Sequence, residues 1–192
     1  MSSKLIAIII FIVIYLIFLL ITFILTYFYQ IKNKDFIEFN KKYLNEWNKY
    51  KFANKNSTLD QIDFKYQLPE NEIGLFQKEL LISGINQKTK DYKDYFDDDY
   101  LVLKKSLSLY QTTSYDFKQV KLYLTNLHLV IDDNNQFYKY KISEIKSCSI
   151  CVIRDKNLLQ KGCVLKTNDQ SLTILGDVFL LVLSIKKLKK EF

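Results

Sequence analysis

Glycine and proline are scarce in this chain of 192 residues, with four Gly and one Pro. That scarcity excludes whole classes of function. No G-x-x-x-x-G-K or G-x-G-x-x-G loop is present to cradle a phosphate on bare backbone, so nucleotide-driven catalysis is disfavoured. Histidine is equally thin: the single one, His128, stands beside no recognisable nucleophile motif and reads as structural rather than as a general base. The three cysteines, Cys148, Cys151 and Cys163, cannot all pair internally, which favours reduced thiols and a cytoplasmic setting. With His128 they add up to the four ligands of a Cys3His zinc site. The spacing argues against it: on a strand over 145–153, residues three apart point to opposite faces, so Cys148 and Cys151 do not grip one ion. A thioredoxin-like redox pair would need a βαβ surround that is not there. The lone Arg and a near-balanced charge after residue 57 leave little for a nucleic-acid backbone. No enzymatic activity, cofactor, metal or nucleic acid is therefore expected. The wealth of Lys, Asn, Ile, Tyr and Phe has the look of an AT-rich genome, and enrichment in Lys or Tyr alone carries no argument.

What the chain does have is one long apolar run. Leu5 to Tyr29 contains no charge, Gly, Pro, Asn or Gln over 25 residues. A hydrocarbon core of about 30 Å needs about 20 apolar residues, so this stretch is expected to cross a membrane as a helix, with some tilt. It is too long for the apolar region of a signal peptide and leaves through bulky Tyr27, Phe28 and Tyr29 rather than through small residues. It reads as a retained anchor. Lys4 and the α-amino group lie before it, whereas Lys32, Lys34, Lys41, Lys42, Lys49 and Lys51 follow, so the positive-inside rule places the N-terminus outside and the C-terminal body in the cytoplasm. The expected location is the cell membrane. Asn56-Ser57-Thr58 fits a glycosylation sequon that would matter only in the opposite topology.

The net charge of +7 is uneven, with +4 of it in residues 30–56. A basic excess beside a span favours anionic headgroups, although a solvated helix face that only satisfies topology explains it as well. The expected organisation is an anchor at 1–30, a juxtamembrane amphipathic helix at 31–56, a linker at 57–67 and one domain at 68–192. In the helix, Phe36, Phe39, Tyr43, Trp47 and Tyr50 recur at steps of three and four. That stripe either docks on the domain, lies in the membrane interface or pairs with another copy.

The domain is expected to be mostly strand. Residues 72–85 suit a strand or a short helix; 87–100 is an acidic loop that lacks the Gly turn and terminal Glu of a calcium site. Short β-rich runs follow over 100–110, 117–124, 127–131, 137–142, 145–153, 162–167 and 171–175, broken by Asn- and Asp-rich turns, which predicts an antiparallel sandwich or barrel. Gly176-Asp177 is a helix stop and N-cap signal, and Val178, Leu181, Val182, Ile185, Leu188 and Phe192 keep helical spacing. This last helix either plugs the open end of the barrel or lies on the membrane through Lys186, Lys187, Lys189 and Lys190.

These residues carry a resemblance. The strand and tight turn Leu122-Tyr123-Leu124-Thr125-Asn126 after Val120-Lys121, the returning Leu127 to Ile131, the segment Tyr140 to Ile145, the strand pair around 162–175 and a final helix resemble the PH-like superfold, in particular GRAM and bacterial PH-type domains, over 68–192. The resemblance implies an α+β protein with a seven-stranded bent sheet capped by a C-terminal helix, serving as a non-enzymatic binding module. Two functions follow as expectations. In one, the domain recruits or positions a protein partner, or pairs with another copy, at the cytoplasmic membrane face. In the other it binds anionic lipid headgroups, with Lys41, Lys42, Lys186, Lys187, Lys189 and Lys190 as contacts.

Overall fold

The computed structural model describes residues 3–65, 67–84, 116–134, 136–155, 158–168 and 170–190. The acidic loop at 87–100 and the strand at 100–110 lie outside these described residues. The chain divides into two compact units, Met1–Glu38 and Phe39–Phe192.

The first unit holds helix α1 (Ser3–Lys32). Its side chains from Ile8 to Phe28 are exposed, and it is long and apolar enough to cross a membrane. The two threonines do not interrupt it: Thr22 donates its hydroxyl to the Phe18 carbonyl and Thr26 to that of Thr22, each at 2.8 Å, so neither presents an unpaired polar group. Helix α2 (Lys34–Asn54) starts within this unit and runs on into the second.

Among the described residues, the second unit is built on a curled sheet of seven antiparallel strands. In chain order these are β1 (Gly74–Ser83), β2 (Lys118–Thr125), β3 (His128–Asp132), β4 (Phe137–Lys141), β5 (Ser147–Asp155), β6 (Leu158–Lys166) and β7 (Ser171–Leu175). In space the order is β4-β3-β2-β1-β7-β6-β5. Strand β1 is the hinge of the sheet, pairing with β2 through eight positions and with β7 at its far end through Leu81, Ile82 and Ser83. The strand alternative for 72–85 therefore holds. Phe76, Leu80 and Ile82 turn inward while Gln77 and Glu79 face out, a period of two that a helix could not bury on one side.

Inward residues of the neighbouring strands complete the core. Leu122 and Leu124 pair with Ile131 and Leu129, and all four are fully buried. Each such burial contributes on the order of 2 kcal/mol. Helix α3 (Phe179–Leu188) packs against β5 and β1, with Leu181, Val182 and Ile185 buried at helical spacing. The end of the barrel is closed in this way, as the plug alternative has it. One detail differs: the N-cap is Val178, without a side-chain cap bond, and Asp177 instead pairs with Lys78 Nζ at 2.9 Å. The turn into α3 needs Gly176, whose φ of 122° is a conformation that other residues rarely adopt.

Tyr43, Trp47 and Tyr50 of the aromatic stripe of α2 dock on their own domain, each ring against Phe179. Trp47 is fully buried, and Tyr43 is nearly so. The Tyr43 ring stacks on Phe179 at a centroid distance of 5.1 Å, and its hydroxyl donates to the Gly162 carbonyl at 3.2 Å. Burial pushes the Tyr43 phenol far above its ordinary range, with nearby Cys163 and Cys151 adding to the shift. The segment read as a linker also makes contact: Ile62 N–H donates to the Gly74 carbonyl at 2.8 Å, and Phe64 packs edge-on against Tyr123 at 5.4 Å. A Cβ on Gly74 would collide with the Ile62 carbonyl and the Phe64 ring, which accounts for glycine at that position.

Candidate functional site

The β2–β3 hairpin is where local chemistry and long-range contact meet. Thr125 and Asn126 make its turn, and both reach the segment before β1. The Thr125 hydroxyl accepts from His128 N–H at 2.8 Å and donates to Glu72 Oε2 at 2.8 Å. Asn126 donates to the Asn71 carbonyl at 3.1 Å and accepts from Ile73 N–H at 3.0 Å. Glu72, with its side chain 6% exposed, also lies 2.9 Å from His128 Nδ1 and 3.6 Å from Lys139 Nζ. Burial on its own would raise the Glu72 carboxyl; the Thr125 hydrogen bond and the His128 and Lys139 charges outweigh it and hold the group below its ordinary value. The family-like hairpin residues thus divide by role. Leu122 and Leu124 are core, Tyr123 packs on Phe64, and Thr125 and Asn126 anchor the turn.

This cluster orders the hairpin. Thr125 is committed to backbone amides and to Glu72. The cysteines lie elsewhere, all buried. From the register, Cys148 shares the inner face of the sheet with Cys163, while Cys151, opposite Gly162, faces the other way. A hydrogen bond donated to Cys148 and burial hold Cys163 well above the usual thiol range, and burial does the same for Cys151. Such thiols stay protonated. Among the described residues no group of three or more His, Cys, Asp or Glu is placed to hold a metal ion.

A groove of about 450 Å³ opens between α2, β6 and the start of α3. Its charge is already matched within the chain. Lys161 pairs with Glu46 and sits 5.3 Å from the Tyr43 ring centroid and 5.9 Å from that of Phe39.

The six candidate lysines are not one surface. Lys41 and Lys42 are exposed on α2. On α3, Lys186 is 3% exposed. Lys187 Nζ donates to the Asn54 carbonyl at 2.7 Å and to the carbonyl and hydroxyl of Ser57, tying the end of α2 to the end of α3. Lys189 Nζ donates to the Lys146 carbonyl at 3.1 Å. Only Lys190 of the four is exposed, just past the helix with φ of 59°. The sequence spacing that places these lysines opposite the apolar stripe misses the burial of Lys186 and the contacts of Lys187 with Asn54 and Ser57.

Among the described residues, β4 and β5 each have a strand neighbour on one side only. Cys148 to Ile153 of β5 are buried on both faces. On β4, Phe137 is 71% exposed, and Lys139 and Lys141 are exposed beside it. At the end of β4 the Lys141 N–H donates to Glu144 Oε2 at 3.4 Å; an edge strand with exposed side chains is a template for another strand. A comparison with protein-family models and with curated protein sequences finds no match for this chain.

Proposed function

We propose that this chain is a single-pass membrane protein whose domain is a non-enzymatic, PH-like binding module that recruits or positions a protein partner at the cytoplasmic face of the cell membrane. The edge of β4, which has one strand neighbour among the described residues, carries this reading, because an exposed strand edge binds extended peptide by main-chain hydrogen bonds. Seven antiparallel strands, with β1 shared between both ends of the curl and a C-terminal helix closing it, support the PH-like assignment. The apolar α1 supports the anchor, and the Lys excess after it supports the cytoplasmic placement. Binding of anionic lipid is the second reading, favoured by exposed Lys41, Lys42 and Lys190, but it loses Lys186, Lys187 and Lys189 to contacts inside the fold. Chemical crosslinking of the full chain in native membranes tests recruitment: a discrete, reproducible partner is expected, and failure to recover one contradicts the reading.

A further inference from the structure

We propose that the outward face of α2 is a binding surface for the anionic headgroups of the membrane that holds the chain. This rests on the membrane anchoring proposed above and gives the lipid reading one surface, on α2 rather than on α3. Lys41, Asn45, Asn48 and Phe52 recur at steps of four, three and four, so they share one stripe. Lys55 continues it just past the helix end, and Lys42 and Lys49 flank it. All of these are exposed, on the side away from buried Tyr43 and Trp47. Phe52 is 86% exposed, more than Phe11 of α1 at 73%. The fold that buries Trp47 leaves this ring in the open among lysines, the setting in which an aromatic suits a headgroup boundary.

Charge and tethering select the occupant. The carboxylates within a helical turn of these lysines are engaged elsewhere: Glu38 pairs with Lys34, and Glu46 with Lys161. Each of those pairs is neutral. Among the described residues, no carboxylate pairs with Lys41, Lys42, Lys49 or Lys55, so the face keeps the charge of its lysines. A second copy would set lysine against lysine, which is repulsive. An acidic protein has to be captured from solution, at the cost of its free motion. The leaflet does not, because α2 begins two residues after α1 ends, and a short tether holds its two ends at an effective concentration on the order of millimolar. The aromatic stripe of α2 is taken up by Phe179, so the contact is electrostatic with one added ring, and salt should screen it.

The test uses the full chain in nanodiscs, with an environment-sensitive fluorophore on Asn48→Cys in the stripe or on Phe137→Cys outside it. Maleimide labelling is selective because Cys148, Cys151 and Cys163 are buried. Replacing phosphatidylcholine by its mixture with phosphatidylserine is expected to brighten the probe at 48 and shift its emission to the blue, with no change at 137. The shift should vanish at roughly 1 M salt, where the Debye length is ~3 Å. Each lysine favours contact by about fivefold, so Lys41→Gln, Lys49→Gln and Lys55→Gln together should weaken it by about a hundredfold and abolish the shift. Equal emission at 48 in the two lipids assigns the face to solvent or to an acidic protein and overturns the proposal. A shift that survives the triple change, or that appears equally at 137, overturns it too. A chain that fails to enter nanodiscs contradicts the anchor and this inference with it, whereas entry without a lipid-dependent shift contradicts this inference alone and leaves the recruiting function standing.

Discussion

Glu72 Oε1 and His128 Nδ1 meet at 2.9 Å although 56 residues separate them in sequence. The contact, shared with Thr125 and Lys139, fastens the β2–β3 turn to the start of β1. It carries a pH signature. The folded-state value for Glu72 lies below its ordinary 4.5, so its contribution to stability is fully present above that value and is lost as pH falls through the lower, folded value. Glu72→Gln should cost about 1 to 3 kcal/mol near neutrality by leaving the hairpin donors without their carboxylate. Denaturant unfolding in detergent micelles at a series of pH values should show the gap narrowing below pH 4.5. A gap that stays constant from neutral to acid contradicts the account.

The docking of α2 is expected to be a large term in the stability of the domain. Trp47→Ala removes a fully buried indole and should cost about 3 to 5 kcal/mol. Tyr43→Phe keeps the ring against Phe179 and loses only the bond to the Gly162 carbonyl, a cost of about 1 kcal/mol. Thermal unfolding followed by near-ultraviolet circular dichroism separates the two. Equal small effects would mean that the helix is not seated on the sheet.

Lysines of the same helix should differ sharply. Lys187→Gln takes a three-bond donor from the Asn54 and Ser57 acceptors and should destabilise by about 1 to 2 kcal/mol. Lys190→Gln alters an exposed residue and should stay within about 0.5 kcal/mol of wild type. Liposome co-sedimentation adds a second readout, since neither change should alter lipid binding greatly if these lysines are not the membrane contact.

Gly176→Ala should cost about 1 to 3 kcal/mol, because φ of 122° strains any residue with a Cβ and the added atom would press on Leu80. Chemical denaturation checks this directly. A neutral substitution would mean that the turn before α3 relaxes without penalty.

Most of the architecture is legible in the sequence because period and length report it. The apolar run of α1, the alternation in β2 and β3, and the spacing of Val178, Leu181, Val182 and Ile185 each encode one face to be buried. The ambiguity at 72–85 arises because Leu80, Leu81 and Ile82 are consecutive apolar residues, and only pairing with β2 and β7 separates inner from outer. Strand β6 begins at Leu158 rather than near Gly162 because Leu158 to Lys161 pair with Asp155 to Val152, a contact that local composition does not signal. The candidate surface was harder to read. Lys186 and Lys187 look like a solvated face, whereas Lys186 is buried and Lys187 reaches the Asn54 carbonyl, and the Glu72 cluster joins positions that nothing in the sequence marks as neighbours. The place of β4 at an edge of the sheet, among the described residues, depends on strand order, which adjacency in sequence does not determine.

The measurement closest to the central claim is site-specific photocrosslinking of the full chain in native membranes, with the photoreactive residue at Phe137 on β4 or at Leu158 on the β5–β6 turn. Both positions are strongly exposed, so unspecific collision would label them alike. A discrete adduct from position 137, absent from position 158, is the expected result. Equal labelling at the two positions, or no adduct at 137, would contradict the assignment of the β4 edge as the recruiting surface.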